Sequence, residues 1–292
     1  YRAHGVLGVT VGLQGGGSIY EPDVYEHYVN TAFRPDGTLK PAYCDRLTRV
    51  LRAADEVGMV VIVNYFYWRQ VDTLDGDPAI RRAVDEATDW LLRSGYRNVI
   101  VDIMNEFHEG DGLLESEGIG ELIERIQQTT WHGRRLWVSS SVHPRDLLPP
   151  GVWQSRQDVY MPHGNSFWAD ALRIELQTIK ASPAFEADPR PILINEDSPY
   201  IESLEAAVDE YASWGFYSQG YGAGGWNHGR VAWPEKDRET RYEALSGFQT
   251  VPVNWSINTA RKRAFFERVA ELTDSTSQRE GNSSMMDPGM NH

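Results

Sequence analysis

Short apolar runs rich in β-branched residues begin near residues 6, 59, 98, 135, 158, 191 and 215 of the 292-residue chain, and helical periodicity fills the intervals between them. This alternation constrains the fold more than any other feature. Neighbouring parallel strands need a crossover of a dozen or more residues, usually a helix. Strict strand–helix alternation therefore predicts a parallel sheet covered by helices. Met59-Val-Val-Ile-Val63 is apolar at successive positions, as suits a strand buried on both faces. The expected helical faces carry Leu47, Val50, Leu51, Ala54 and Val57 between Pro41 and Gly58, then Ile80, Val84, Ala87 and Leu91 between Asp77-Pro78 and Gly95. Later faces carry Ile119, Leu122, Ile123 and Ile126; Leu172, Leu176 and Ile179; Leu204, Ala207, Val208 and Tyr211; and Phe265, Val269 and Leu272.

A closed (β/α)8 barrel needs eight strands, and seven runs are visible here. The expectation is an α/β fold, a (β/α)8 TIM barrel lacking its first strand in this chain. It forms one domain over 1–272, followed by a disordered tail over 273–292 rich in Ser, Asn, Gly and Met. The rival is an open doubly wound sheet, which would carry GxGxxG after its first strand. Here the first run leads into Gln14-Gly-Gly-Gly17, with neither that motif nor the GK[ST] of a phosphate loop, so a flexible βα loop is expected.

Composition removes several function classes. A net charge of −14 argues against a nucleic-acid partner, which would need basic patches. A single cysteine, Cys44, excludes an internal disulfide framework and a CxxC metal motif. No apolar run is long enough to span a membrane. His108, His143 and His228 are scattered without HxH or HExxH spacing, so no metal and no cofactor are expected. The chain opens on Tyr1 with no visible leader; a secreted or periplasmic monomer is the expectation.

Two runs end alike. Val99-Ile-Val-Asp-Ile-Met stops at Asn105-Glu106, and Ile192-Leu-Ile stops at Asn195-Glu196. In a βα barrel the strand C-termini form the active face. Residues expected there are Gln14, Asn64 with Tyr65 and Tyr67, Asn105, Ser139 to Ser141, His163, Asn195, Gln219 and Tyr221, with Glu106 and Glu196 among them. Few cations accompany them, so a neutral polyol suits the face better than a phosphate. Two carboxylates across a pocket are what glycoside hydrolysis requires, one to protonate the leaving oxygen and one to attack. Tyr65, Tyr67, Trp68 and Trp226 are candidate sugar-stacking rings, Asn105 a candidate for bonding a sugar hydroxyl. The bland reading makes both glutamates salt-bridge partners or helix N-terminal acids.

These motifs resemble the large clan of (β/α)8 retaining glycoside hydrolases that includes cellulases, mannanases and β-galactosidases. Val-Asp-Ile-Met-Asn-Glu106 resembles the clan's fourth strand, and Ile-Leu-Ile-Asn-Glu196 its seventh. The resemblance implies Glu106 as acid/base, Glu196 as nucleophile, Asp102 as the acid three before the asparagine, and His163 as the residue that orients the nucleophile. It also implies a carbohydrate substrate and no cofactor. The chain departs from the clan pattern in three places. Gln14 stands where an arginine is common, Asn64-Tyr65 where a histidine is frequent, and the eighth strand's usual tryptophan is not at the strand end, the nearest candidate being Trp226 in the loop. Two alternatives stay open: a non-catalytic glycan-binding barrel, and a metal-dependent barrel hydrolase or lyase.

Overall fold

The computed structural model describes residues 1–15, 29–68, 70–106, 112–114, 116–143, 156–164, 167–217 and 254–283. Gln219, Tyr221 and Trp226, together with His108 and His228, lie outside them. Strands β1 (Gly8–Gly12), β4 (Val60–Tyr67), β5 (Val99–Asn105) and β6 (Trp137–Ser139) form one parallel sheet in chain order. Parallel bridges Val142↔Pro162 and Tyr160↔Ile192 carry the order through the 158–163 segment to β7 (Ile192–Leu193), which pairs with β8 (Ala212–Ser213). The strands thus follow one another in sequence order, as in a (β/α)8 barrel, although β8 and β1 are not paired among the described residues.

Helices α1 (Pro41–Glu56), α2 (Gly76–Ser94), α3 (Ser116–Gln128), α4 (Ala169–Lys180), α5 (Pro183–Ala187), α6 (Ile201–Asp209) and α7 (Ala260–Ser283) fill the connections. On α2, Ile80, Val84, Ala87 and Leu91 face the sheet as their spacing predicts, and Gly95 ends the helix at φ 83. The start differs: Asp75, not Asp77, is the capping position. Val50, Val57, Val208 and Tyr211 turn outward instead of into the core. The buried stripes are narrower than the apolar runs suggest, because the sheet covers only part of each helix.

Strand alternation produces two distinct interiors. On β4, Ile62 packs with Ile100, Val159, Met161 and Leu193 inside the barrel. Val61, Val63 and Tyr65 instead join the main core under the helices, with Val101, Ile103 and Leu122. Above the apolar layer of Ile62 and its partners, the next inward positions are polar: Asn64, Asp102, His163 and Asn195. The apolar floor excludes water from beneath this polar layer and lowers its effective dielectric.

The sequence-level picture needs two corrections. Gln14–Gly15 and Asn30–Thr31 form an antiparallel pair, β2 and β3, where a flexible loop is expected. Among the described residues the final strand is Ala212–Ser213, and 215–217 are not strand, while 218–220 of the expected 215–220 run lie outside them; a Cβ at Gly215 would overlap Asn195, so the glycine lets the chain leave the sheet close against β7. The final helix, α7, runs to Ser283. Once a helix is nucleated, Ser and Thr extend it at modest cost, and no proline intervenes.

Candidate active site

The site is built at the C-terminal ends of β5, the 158–163 segment and β7. Asp102 is the last fully buried carboxylate on β5 and accepts the Ser141 N–H on Oδ1 at 2.7 Å. Its Oδ2 faces the Asn195 side-chain N–H at 3.5 Å. That contact turns the Asn195 carbonyl oxygen toward His163, which donates from Nε2 at 3.0 Å. The other ring nitrogen, Nδ1, donates to Glu106 Oε1 at 3.2 Å. Both nitrogens of His163 meet acceptors, so both carry hydrogen and the ring is an imidazolium. Burial alone pulls its pKa down. The hydrogen bond to Glu106 and the charges of Glu196, Glu106 and Asp102 outweigh burial and push it up to about 9. Asp102 is itself shifted upward by burial, opposed by the Ser141 amide and by His163.

Glu106 sits at φ 50, in the left-handed region that non-glycine residues rarely occupy. Its N–H donates to Ser141 Oγ at 3.1 Å, and the same hydroxyl donates to Met104 O at 3.1 Å. A serine hydroxyl thus holds both sides of the strained turn that lifts Glu106 out of β5. Strain of this kind, of order 1–3 kcal/mol, persists where the surroundings enforce it. One oxygen of Glu106, one oxygen of Glu196 and a ring nitrogen of His163 all lie within 4.8 Å of one another.

The sequence-predicted residues divide. Glu106, Glu196 and His163 come together, with Asn195 and Asp102 behind them. His163 bonds Glu106 through Nδ1, and one of its ring nitrogens lies within 4.8 Å of an oxygen of Glu196. Asn105 lies half-buried at the end of β5, paired in register with Tyr67. Tyr67 is half-buried, its ring 5.9 Å from that of Trp68. Three candidates are buried in the fold. Gln14 is buried; its side-chain amide donates to Thr31 Oγ1 and Gln70 O, and it accepts the Tyr67 N–H, so it binds β2 to β3 and β4. Tyr65 is fully buried, pointing into the helix layer with its hydroxyl against Thr88 on α2 at 3.1 Å. Asn64 points inward but is buried beside Asp102, beneath the carboxylates. Tyr221 and Trp226 fall outside the described residues.

The trio of Glu106, His163 and Glu196 has the spacing to hold a divalent cation. Ligation would require His163 to lose a proton and surrender a hydrogen bond, against a pKa of about 9.

A second carboxyl group lies behind the site. Glu175 on α4 is 2% exposed, and neither carboxyl oxygen has a hydrogen-bond partner among the described residues. Burial, then the nearby charge of Asp197, push its pKa up to about 9 against a smaller opposing effect of His163. Asp197, fully buried, follows Glu196 directly. A Cβ at Gly164 would overlap Asp197 Oδ2, so the chain after His163 must be glycine to admit that carboxylate. Glu175 is therefore protonated in the fold at neutral pH and ionised in the unfolded chain. The folded state binds the extra proton between pH 4.5 and about 9. Its stability contribution is complete below pH 4.5 and is lost as pH rises through that window. Glu175→Gln, neutral and nearly isosteric, is expected to raise the melting temperature at pH 8 and to change it little at pH 4.5. At about 1.4 kcal/mol per pKa unit, the difference is at most a few kcal/mol. Equal shifts at both pH values would show that Glu175 is not held protonated.

The sequence matches no family model and no curated protein. Solved structures do match. A GH5-4 broad-specificity endoglucanase from Clostridium longisporum superposes with a TM-score of 0.59 at 10% identity, covering 93% of this chain and 84% of that one. The chain has the (β/α)8 barrel fold. An exo-β-1,4-mannosidase from an Opitutaceae bacterium gives 0.59 at 15% identity, over 95% of this barrel and 54% of that chain. A GH5_18 protein of Bifidobacterium longum, solved with Manβ1-4GlcNAc, gives 0.55 at 13%, over 94% of this barrel and 71% of that chain. In the barrel fold, Glu106 and Glu196 end strands on the face where active sites are built. No helix among the described residues is long and apolar enough to cross a membrane.

Signals for several of these residues were present in the sequence. Asp102 and Asn195 belong to the same strand-end motifs as the glutamates, and Ser141 ends its own run. Glu175 gave no signal, because an acid among Leu172, Leu176 and Ile179 reads as a solvent position.

Proposed function

We propose that this barrel is a retaining glycoside hydrolase that acts on a β-linked glycan. The observation that carries the reading is the spacing of Glu106 and Glu196, with an oxygen from each within 4.8 Å. Retaining enzymes hold their carboxyl groups about 5–5.5 Å apart, whereas inverting ones leave roughly 6.5–9.5 Å for a water. At the shorter spacing one carboxylate reaches the anomeric carbon while the other reaches the glycosidic oxygen.

Glu196 attacks the anomeric carbon. The C–O bond to the leaving group breaks, and Glu106 delivers a proton to the departing oxygen. Glu106 then takes a proton from water, which displaces Glu196 and regenerates both groups. His163 occupies Glu106 Oε1, so the transferable proton is carried on Oε2. When Glu106 is ionised in the second half of the cycle, the imidazolium stabilises it. The three groups share their protons as one coupled cluster. Of the named neighbours one is a broad-specificity endoglucanase and one an exo-β-1,4-mannosidase, which supports a β-linked gluco- or manno-configured substrate.

The full chain is to be assayed on aryl β-glucosides, β-mannosides and β-galactosides, with and without a chelator. Release of the aryl group, unaffected by chelation, is the expected result. Activity abolished by the chelator would favour the metal-dependent reading. Measurable oligosaccharide binding without any turnover would favour the non-catalytic one.

A further inference from the structure

We propose that Trp168 and Tyr200 form a stacking platform for a pyranose ring, carried on the connections that follow His163 and Glu196, for a sugar one or more units from the scissile bond. The inference rests on the glycosidase reading for the identity of the ligand.

Trp168 is 65% exposed, although its neighbours Phe167 and Ala169 both turn inward and pack on the core of α4, α6 and β7. Its indole is not solitary. Tyr200 lies against it with ring centroids 5.9 Å apart and planes only 22° off parallel. The two rings come from different connections, one after the 158–163 segment and one after β7, so their pairing is a product of the tertiary fold. Each connection also carries a residue of the active site: Trp168 follows His163 by five positions and Tyr200 follows Glu196 by four. Four residues span at most about 14 Å of extended chain, and the Tyr200 N–H donates to Ser198 Oγ at 3.4 Å, which shortens that path.

The local chemistry points the same way. Trp168 is the capping position of α4 and Tyr200 that of α6, and neither makes a side-chain cap bond. Ser, Thr, Asp or Asn there would stabilise each helix by about 1 kcal/mol. Helix N-termini face the strand C-termini in a βα barrel, so both aromatic caps lie on the active face. A β-linked gluco- or manno-configured pyranose has a broad face of C–H bonds. Those hydrogens are electropositive and meet the negative face of an indole. Tyr200 limits the rotation of Trp168, so less conformational freedom is lost when a sugar settles on it.

A platform of this kind acts only on glycans long enough to cover it. Trp168→Ala, Trp168→Phe, Tyr200→Ala and wild-type protein are to be compared on cellohexaose, mannohexaose and an aryl β-monoglycoside, with melting temperature as the control for folding. For the preferred hexaose, Trp168→Ala should raise KM by about threefold to tenfold relative to the monoglycoside, the range that aromatic stacking energies predict. Trp168→Phe should recover most of that loss, and Tyr200→Ala should show a smaller rise. Calorimetric titration of the hexaoses into Glu196→Gln protein, with and without Trp168→Ala, reads binding without turnover. Weaker binding on loss of Trp168 supports the platform even if no substrate is hydrolysed, in which case only the glycosidase reading fails. Equal KM changes on long and short substrates, or unchanged hexaose affinity without Trp168, would overturn the platform while leaving the glycosidase reading intact.

Discussion

Glu196→Gln reduces turnover of β-glycosides by roughly 10⁴-fold or more, the scale reached when other enzymes lose a covalent nucleophile. The amide keeps the shape of the carboxylate but cannot form the glycosyl-enzyme. Because His163 is bonded to Glu106 and Asn195 rather than through Glu196 alone, the hydrogen-bonded frame survives the substitution. The melting temperature should therefore change little while activity disappears. Steady-state release of nitrophenol, together with a thermal scan, measures both. Retention of more than a few per cent of wild-type turnover would remove Glu196 from the nucleophile's role.

Glu106→Ala has a large effect of a different form. General acid catalysis contributes about 10²–10⁴-fold where the leaving group needs a proton. Oligosaccharides, whose leaving alkoxide is strongly basic, should lose activity on that scale. A dinitrophenyl glycoside, whose leaving group departs unprotonated, should lose far less in the glycosylation step and accumulate the covalent intermediate. The substitution also deprives His163 of its Nδ1 acceptor, so the imidazolium becomes less stable and its pKa falls from about 9. Equal losses on both substrate types would count against Glu106 as the proton donor.

The strands were legible because β4 and β5 are long β-branched runs buried on both sides, where pattern and packing agree. The two glutamates were legible because each ends such a run after an asparagine, and an ionisable group there has no place in a core. Direction at the strand ends was harder to read. Gln14, Asn64, Tyr65 and Tyr67 all lie near strand termini, but successive residues point to opposite faces. The register relative to the barrel axis decides which are seen from the mouth, and Tyr65 falls on the helix side. The β2–β3 pair escaped notice because it depends on backbone partners far apart in sequence, Gln14 with Thr31 and Gly15 with Asn30, with no apolar pattern to announce them. Glu175 and the Trp168–Tyr200 stack were hidden for a related reason. Their meaning lies in contacts between α4 and the chain after β7, which no local window contains.

The relation of the two glutamates to the anomeric carbon is the central claim, and the stereochemistry of the first-formed product tests it most directly. Proton NMR is to be recorded during the first minutes of hydrolysis of a β-linked oligosaccharide, before the new reducing end mutarotates. Glutamates spaced for double displacement predict that the β-anomer appears first and the α-anomer grows in later at the spontaneous rate. Initial release of the α-anomer would show single displacement by water and would contradict the account.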